Sequence, residues 1–154
     1  MGRRTLLIGY GNPGRLDDGL GPALAARLEA SPIEGLSVES DYQLVVEHAH
    51  DVAGYDVAIF ADAACNGDAP YSFKELGAPE SPKFDSHSVT PETVLFLAKT
   101  MFNASTKGYL LGIRGYEFDG FGERISERAV QNLEAAFEFV REIARTGPGA
   151  PTPS

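Results

Sequence analysis

The chain has a single cysteine, Cys65, so no internal disulfide can staple it. Cations are scarce: 13 Lys plus Arg against 22 Asp plus Glu leave a formal net charge of −9. Phosphate backbones and anionic lipid surfaces are repelled by that charge, which excludes nucleic acid as an expected partner. Long apolar runs are missing too. The segment after Arg4 reaches only to Ile8 before Gly9 intervenes, too short for a spanning helix or an ordinary signal peptide. These absences point to a cytoplasmic protein without membrane insertion. No G-x-S-x-G elbow and no internal repeat occur. What remains is a globular composition, 43% apolar and 23% charged, at a length of 154 residues that suits one domain.

Short apolar runs at 4–10, 36–42, 57–61 and 109–113 read as strands, and 71–76 as an edge strand. Helical spacing appears over 18–30, 44–52, 91–101 and 126–144, with Thr90-Pro91 opening the third and apolar residues 129, 130, 133, 136, 137 and 140 lining the last. Strands alternating with helices imply right-handed parallel crossovers. The expected architecture is α/β: a three-layer α/β/α sandwich on a mostly parallel, twisted sheet of about five strands. One domain over 1–145 is followed by a Pro- and Gly-rich tail over 146–154, expected to be disordered.

In open sheets of this kind the binding crevice lies beyond the carboxyl ends of the strands. Gly9-Tyr10-Gly11-Asn12-Pro13-Gly14 fits the dinucleotide string G-x-G-x-x-G after a strand. Asp17 and Asp18 stand near the following helix entrance, where they oppose a pyrophosphate, and glycines that merely turn a strand into a helix explain the same string. Asp18, Asp62 and His87 lie on three loops. Singly, each acid is an ordinary cap or turn residue. Together they offer two carboxylates and one imidazole, a set suited to a borderline divalent cation with positions left for a substrate. Cys65 as a thiol nucleophile, or Ser86 or Ser88 beside His87 as a triad, is a poorer reading, because a lone Cys is most often a small buried hydrophobe. His48 and His50 diverge at i, i+2 on a helix and read as surface residues. Phe137 and Phe139 read as core.

The order Gly9-x-Gly11-Asn12, Asp17-Asp18-Gly19-x-Gly21, Gln43-Leu44-x-x-Glu47, a strand ending Asp62-Ala63, and His87-x-x-x-Pro91 resembles the hydrogenase maturation proteases from about Arg4 to Val140. The resemblance implies an endopeptidase that removes the C-terminal extension of a nickel-loaded [NiFe]-hydrogenase large-subunit precursor, cutting just after a His or Arg. Carried over, the family's metal-contacting and catalytic positions fall on Asp18, Asp62 and His87. Gly9, Gly11, Asn12, Asp17 and Glu47 belong to the loops that meet the substrate. The nickel would be supplied by the substrate, with another divalent cation able to take the site in its absence, and the enzyme would act as a monomer. Many relatives carry Glu at the position of Asp18, and Pro where this chain has Val46. The rival reading is a dinucleotide-binding or metal-carrier module without hydrolytic activity.

Overall fold

The computed structural model describes residues 4–77 and 89–147. Along the chain these form β1 (Thr5–Tyr10), a 3-10 turn (Leu16–Gly19), α1 (Leu20–Glu29), β2 (Leu36–Asp41), α2 (His48–Ala53), β3 (Val57–Ala64), β4 (Tyr71–Leu76), α3 (Pro91–Phe102), β5 (Lys107–Arg114) and α4 (Glu127–Thr146). The strands make one sheet in the order β2-β1-β3-β5-β4. β1 runs parallel to β2 and β3, β3 parallel to β5, and β4 antiparallel on the edge. This is the mostly parallel three-layer α/β arrangement expected.

Both faces of the sheet are covered, which is why the central strands read as continuous apolar runs. Leu7 of β1, Ile59 and Ala61 of β3, and Leu111 and Ile113 of β5 pack with Leu20, Leu24 and Leu28 of α1 and with Leu133, Phe137 and Val140 of α4. Leu6 and Ile8, with Ala58 and Phe60, pack on the opposite face with Ala49 and Val52 of α2 and with Val94, Leu95 and Ala98 of α3. Val130 departs from the expected stripe of α4 and stays exposed.

Several boundaries differ from the sequence reading. Instead of one helix from 18, a 3-10 turn precedes α1; it is entered by Leu16 at φ 54° and closed by the Asp18 N–H on the Arg15 carbonyl. α2 begins at His48 rather than Leu44, because the His48 imidazole Nδ1 accepts the Val45 N–H at 2.9 Å and ends the preceding loop there. β3 continues to Ala64, since its ladder with β5 runs on through Ala64 and Arg114. Asp62 is therefore a residue of the strand, not of the loop after it. α4 extends through Thr146, one residue into the expected tail, and 148–154 lie outside the described residues. α3 matches its expectation closely: the Thr90 hydroxyl accepts the Thr93 N–H at 3.1 Å and Pro91 fills the first turn.

From β1 the chain passes to β2 on one side and returns to β3 on the other, so strand order reverses between β1 and β3. A crevice opens at such a point, beyond the carboxyl ends of the two strands.

Candidate active site

The loop that leaves β1 is closed upon itself. The Gly11 N–H donates to the Asp41 carbonyl at 3.1 Å, Asn12 N–H to Asp18 Oδ2 at 2.8 Å, and Gly14 N–H to Asn12 Oδ1 at 2.8 Å. The N–H groups of Arg15, Leu16, Asp17 and Asp18 go to the carbonyls of Asn12, Gly122, Glu117 and Arg15. Pro13 apart, every backbone donor from Gly11 to Asp18 is therefore used inside the protein. A phosphate cradle needs such donors free and pointing outward, so the G-x-G-x-x-G string serves another purpose here. Gly21 shows what that is. A Cβ placed on it would lie 2.6 Å from the Ala61 carbonyl oxygen and closer still to that of Tyr10, so only glycine lets α1 sit directly on β1 and β3. A Cβ on Gly9 would meet the Gly21 carbonyl, and one on Gly11, at φ 143°, that of Asp18. The glycines draw the first turn down over the strand ends, and Asp18 comes with it.

Asp18 is thereby brought near enough to Asp62 for its charge to bear on that carboxyl. Asp62 is half-buried near the end of β3, and its ladder with β5 restrains its backbone. Its pKa is pushed up to about 6: burial is the main cause, the Asp18 carboxylate adds to it, and hydrogen bonds from the Ala63 N–H and the Tyr10 hydroxyl oppose it. The Ala63 bond is 2.8 Å to Oδ1. Tyr10 is in turn held far from ionising by burial and by the charges of Asp62 and Glu92. The Asp18 charge thus adds to the cost of ionising Asp62 at the reversal point of the sheet.

Asp17 behaves quite differently from its neighbour. It is wholly buried, at 0% exposure. Its Oδ2 accepts the N–H groups of Tyr116 and Glu117 at 2.8 and 3.0 Å and the Ser126 hydroxyl at 2.6 Å, while Oδ1 accepts the Ser126 N–H at 2.7 Å. Burial alone would raise its pKa, but these four donors hold the carboxyl below its ordinary value. The side chain ties the segment 115–126 to the turn that carries Asp18.

Of the other residues singled out in the sequence, His87 lies outside the described residues, as do Ser86 and Ser88. Among the described residues no group of three His, Cys, Asp or Glu side chains gathers to hold a metal ion. Glu47 is exposed at the start of α2, in a groove with Val46, His50, Leu97, Met101 and Phe102, apart from the two acids. Asn12 shapes the loop through its side-chain bond to Gly14. Gly9 lies beneath α1. His48 corrects the surface reading: it is only 4% exposed, because Nδ1 is engaged by Val45 while Nε2 faces Asp41 at 3.5 Å. His50 is exposed, its ring edge-on to Phe102. Cys65 is free and exposed rather than a buried hydrophobe, since the chain has already left the sheet at Ala64. The alternation of 6, 8 and 10 along β1 puts Tyr10 on the face of Leu6 and Ile8, and the pairing of β1 with β3 sets it beside Asp62.

The fold is shared with solved [NiFe] hydrogenase maturation proteases, whose structures match the chain over more than nine-tenths of its length. HycI from Thermococcus kodakarensis KOD1 is 21% identical, with 93% of each chain covered and a TM-score of 0.72. HybD, a hydrogenase maturating endopeptidase from E. coli, is 21% identical, with 94% of each chain covered and a TM-score of 0.71. A hydrogenase 2 maturation peptidase from Thaumarchaeota archaeon SCGC_AB-539-E09 is 24% identical, covering 91% of this chain and 97% of its own at a TM-score of 0.65. No protein-family model and no curated protein sequence matches the chain. Among the described residues no helix is long and apolar enough to cross a membrane.

Proposed function

We propose that this protein is an endopeptidase that removes the C-terminal extension from a nickel-loaded [NiFe]-hydrogenase large-subunit precursor, acting as a cytoplasmic monomer. The observation that carries the reading is the meeting of Asp18 and Asp62 at the reversal point of a fold shared with maturation proteases. His87, a few residues ahead of α3 in the chain, supplies the imidazole of the ligand set.

The nickel is cargo of the substrate, and the two carboxylates with His87 complete its coordination only where it has been installed. Bound in this way it orients the scissile peptide and polarises the carbonyl. A water held by one of the carboxylates attacks the carbonyl carbon, the C–N bond breaks, and the water's proton passes to the departing amine. Asp62, with its pKa near 6, suits such proton handling. Cation binding reverses the local electrostatics, replacing the repulsion from Asp18 by attraction, so near pH 6, where the free carboxyl is partly protonated, docking of the nickel expels a proton from Asp62.

A dinucleotide carrier is disfavoured by the consumed donors of the glycine loop. A metal carrier shares the ligands but not the cut. The deciding experiment incubates the protein with nickel-loaded and nickel-free precursor and follows the mass of the precursor's C-terminus. Shortening of the loaded form alone is expected, with loss of processing in Asp62→Ala and His87→Ala variants that still fold. Equal cleavage of both forms would remove metal recognition from this account, and no cleavage of either would leave the carrier reading.

A further inference from the structure

Tyr10 stands between the two glycines of the first loop and lies at the last position of β1. Strand periodicity puts it on the same face as Leu6 and Ile8, and puts Asp62 on the same face as Ala58 and Phe60; this is the face that α2 and α3 cover. β1 and β3 run in parallel register with Gly9 opposite Ala61, so Tyr10 and Asp62 are the next residues along, side by side on neighbouring strands. The ring of Tyr10 packs against the apolar cluster beneath α3, and its hydroxyl hydrogen-bonds to the Asp62 carboxylate. Asp62 Oδ1 is also engaged by the Ala63 N–H at 2.8 Å. The phenol cannot swing away without unpacking from that cluster, and the strand backbone that carries the carboxylate is held in its ladder with β5.

We propose that Tyr10 is a positioning residue for Asp62: its hydroxyl fixes the direction in which the carboxylate offers its remaining lone pairs to a divalent cation in the crevice. The assignment rests on the reading of Asp62 as a nickel-contacting residue and goes beyond it by naming what aims that residue. Phenylalanine at this position would keep the packing and lose the aim, which separates orientation from structure. Partners of this kind, hydrogen-bonded to a metal ligand, typically contribute 10–100-fold in metal affinity.

The test measures binding of Ni²⁺ alone by calorimetry, together with processing of the nickel-loaded precursor, for wild type, Tyr10→Phe and Tyr10→Leu. Tyr10→Phe is expected to melt close to wild type while binding Ni²⁺ about 10–100-fold more weakly and processing correspondingly more slowly; Tyr10→Leu is expected to lose affinity to the same extent as Tyr10→Phe and to be less stable as well. If wild type processes precursor without measurable affinity for free Ni²⁺, the same loss must appear in kcat/KM for Tyr10→Phe. A Tyr10→Phe variant equal to wild type in affinity and processing, with only Tyr10→Leu impaired, makes Tyr10 a packing residue and overturns the assignment alone. A wild type that neither binds Ni²⁺ nor processes precursor overturns the site reading and this assignment with it.

Discussion

The carboxylate of Asp17 accepts both the backbone N–H and the hydroxyl of Ser126, at 2.7 and 2.6 Å, across 109 positions of sequence. The pair fastens the residue before α4 to the turn before α1, the same turn that carries Asp18. Replacing the carboxylate by an amide sets an NH₂ group against donors. Asp17→Asn is therefore expected to cost about 2–4 kcal/mol and Ser126→Ala about 1–2 kcal/mol, read by denaturant unfolding. Because the folded pKa of Asp17 lies below its ordinary value, its contribution is present above the unfolded pKa near 3.8 and disappears as pH falls through the folded one. Asp17→Asn should flatten that acid limb; an unchanged limb would mean that the four donors do not hold a charge.

Gly21 allows α1 to touch two strands at once. Gly21→Ala drives a methyl into the carbonyls of Tyr10 and Ala61, which are backbone atoms of the sheet and cannot rotate aside. A loss of about 2–4 kcal/mol is expected from such overpacking. Processing should fall further than stability accounts for, since α1 carries Asp18 away from Asp62 as it lifts. Activity retained in a destabilised but folded variant would separate the helix position from the site.

The raised pKa of Asp62 has the opposite sign to that of Asp17. Its folded state holds the proton more tightly than the unfolded chain, so this group's contribution is fullest below about pH 4 and is lost as pH rises from there to about 6. The rise from 3.8 to about 6 bounds the effect at about 3 kcal/mol. Asp62→Asn is expected to be as stable as wild type or more so at neutral pH, to show a flatter profile across that window, and to be inactive. Unfolding curves at a series of pH values check this, and a variant less stable than wild type at pH 7 would contradict a cost of burying the Asp62 charge.

Docking of nickel at Asp62 should release a proton when the pH is close to 6. Calorimetry of Ni²⁺ binding in buffers of different ionisation enthalpy would show the released proton, with less release at pH 8, where the free carboxyl is already ionised. Identical heats in all buffers near pH 6 would place the cation elsewhere.

Cys65 is free and exposed, one residue past the end of β3. Cys65→Ser should stay within about 0.5 kcal/mol of wild type and process precursor normally, and complete inactivation would revive a thiol mechanism.

Much of the architecture was legible in the chain because burial on both faces of a parallel sheet leaves uninterrupted apolar runs, and because Thr90-Pro91 announces α3 chemically. The element ends were less so. Asp62 read as a loop residue because the apolar run stops at Ala61, yet the ladder with β5 continues past it. His48 read as exposed because spacing along a helix says nothing of a loop folding back onto its imidazole. Asp17 and Asp18 looked interchangeable as neighbouring acids, and only their surroundings distinguish them. One is enclosed by donors that arrive from 116, 117 and 126, while the other accepts a bond from Asn12.

Strand and helix order, the acidic balance and the spaced acids were determined by the sequence itself, since periodicity and charge are local properties of the chain. Which of those acids meet, which is sealed away, and that a tyrosine stands beside Asp62 were decided only by the tertiary structure. The reason is physical: desolvation, charge repulsion and hydrogen bonding depend on distances that close when α1 settles onto β1 and β3, and no spacing along the chain contains them.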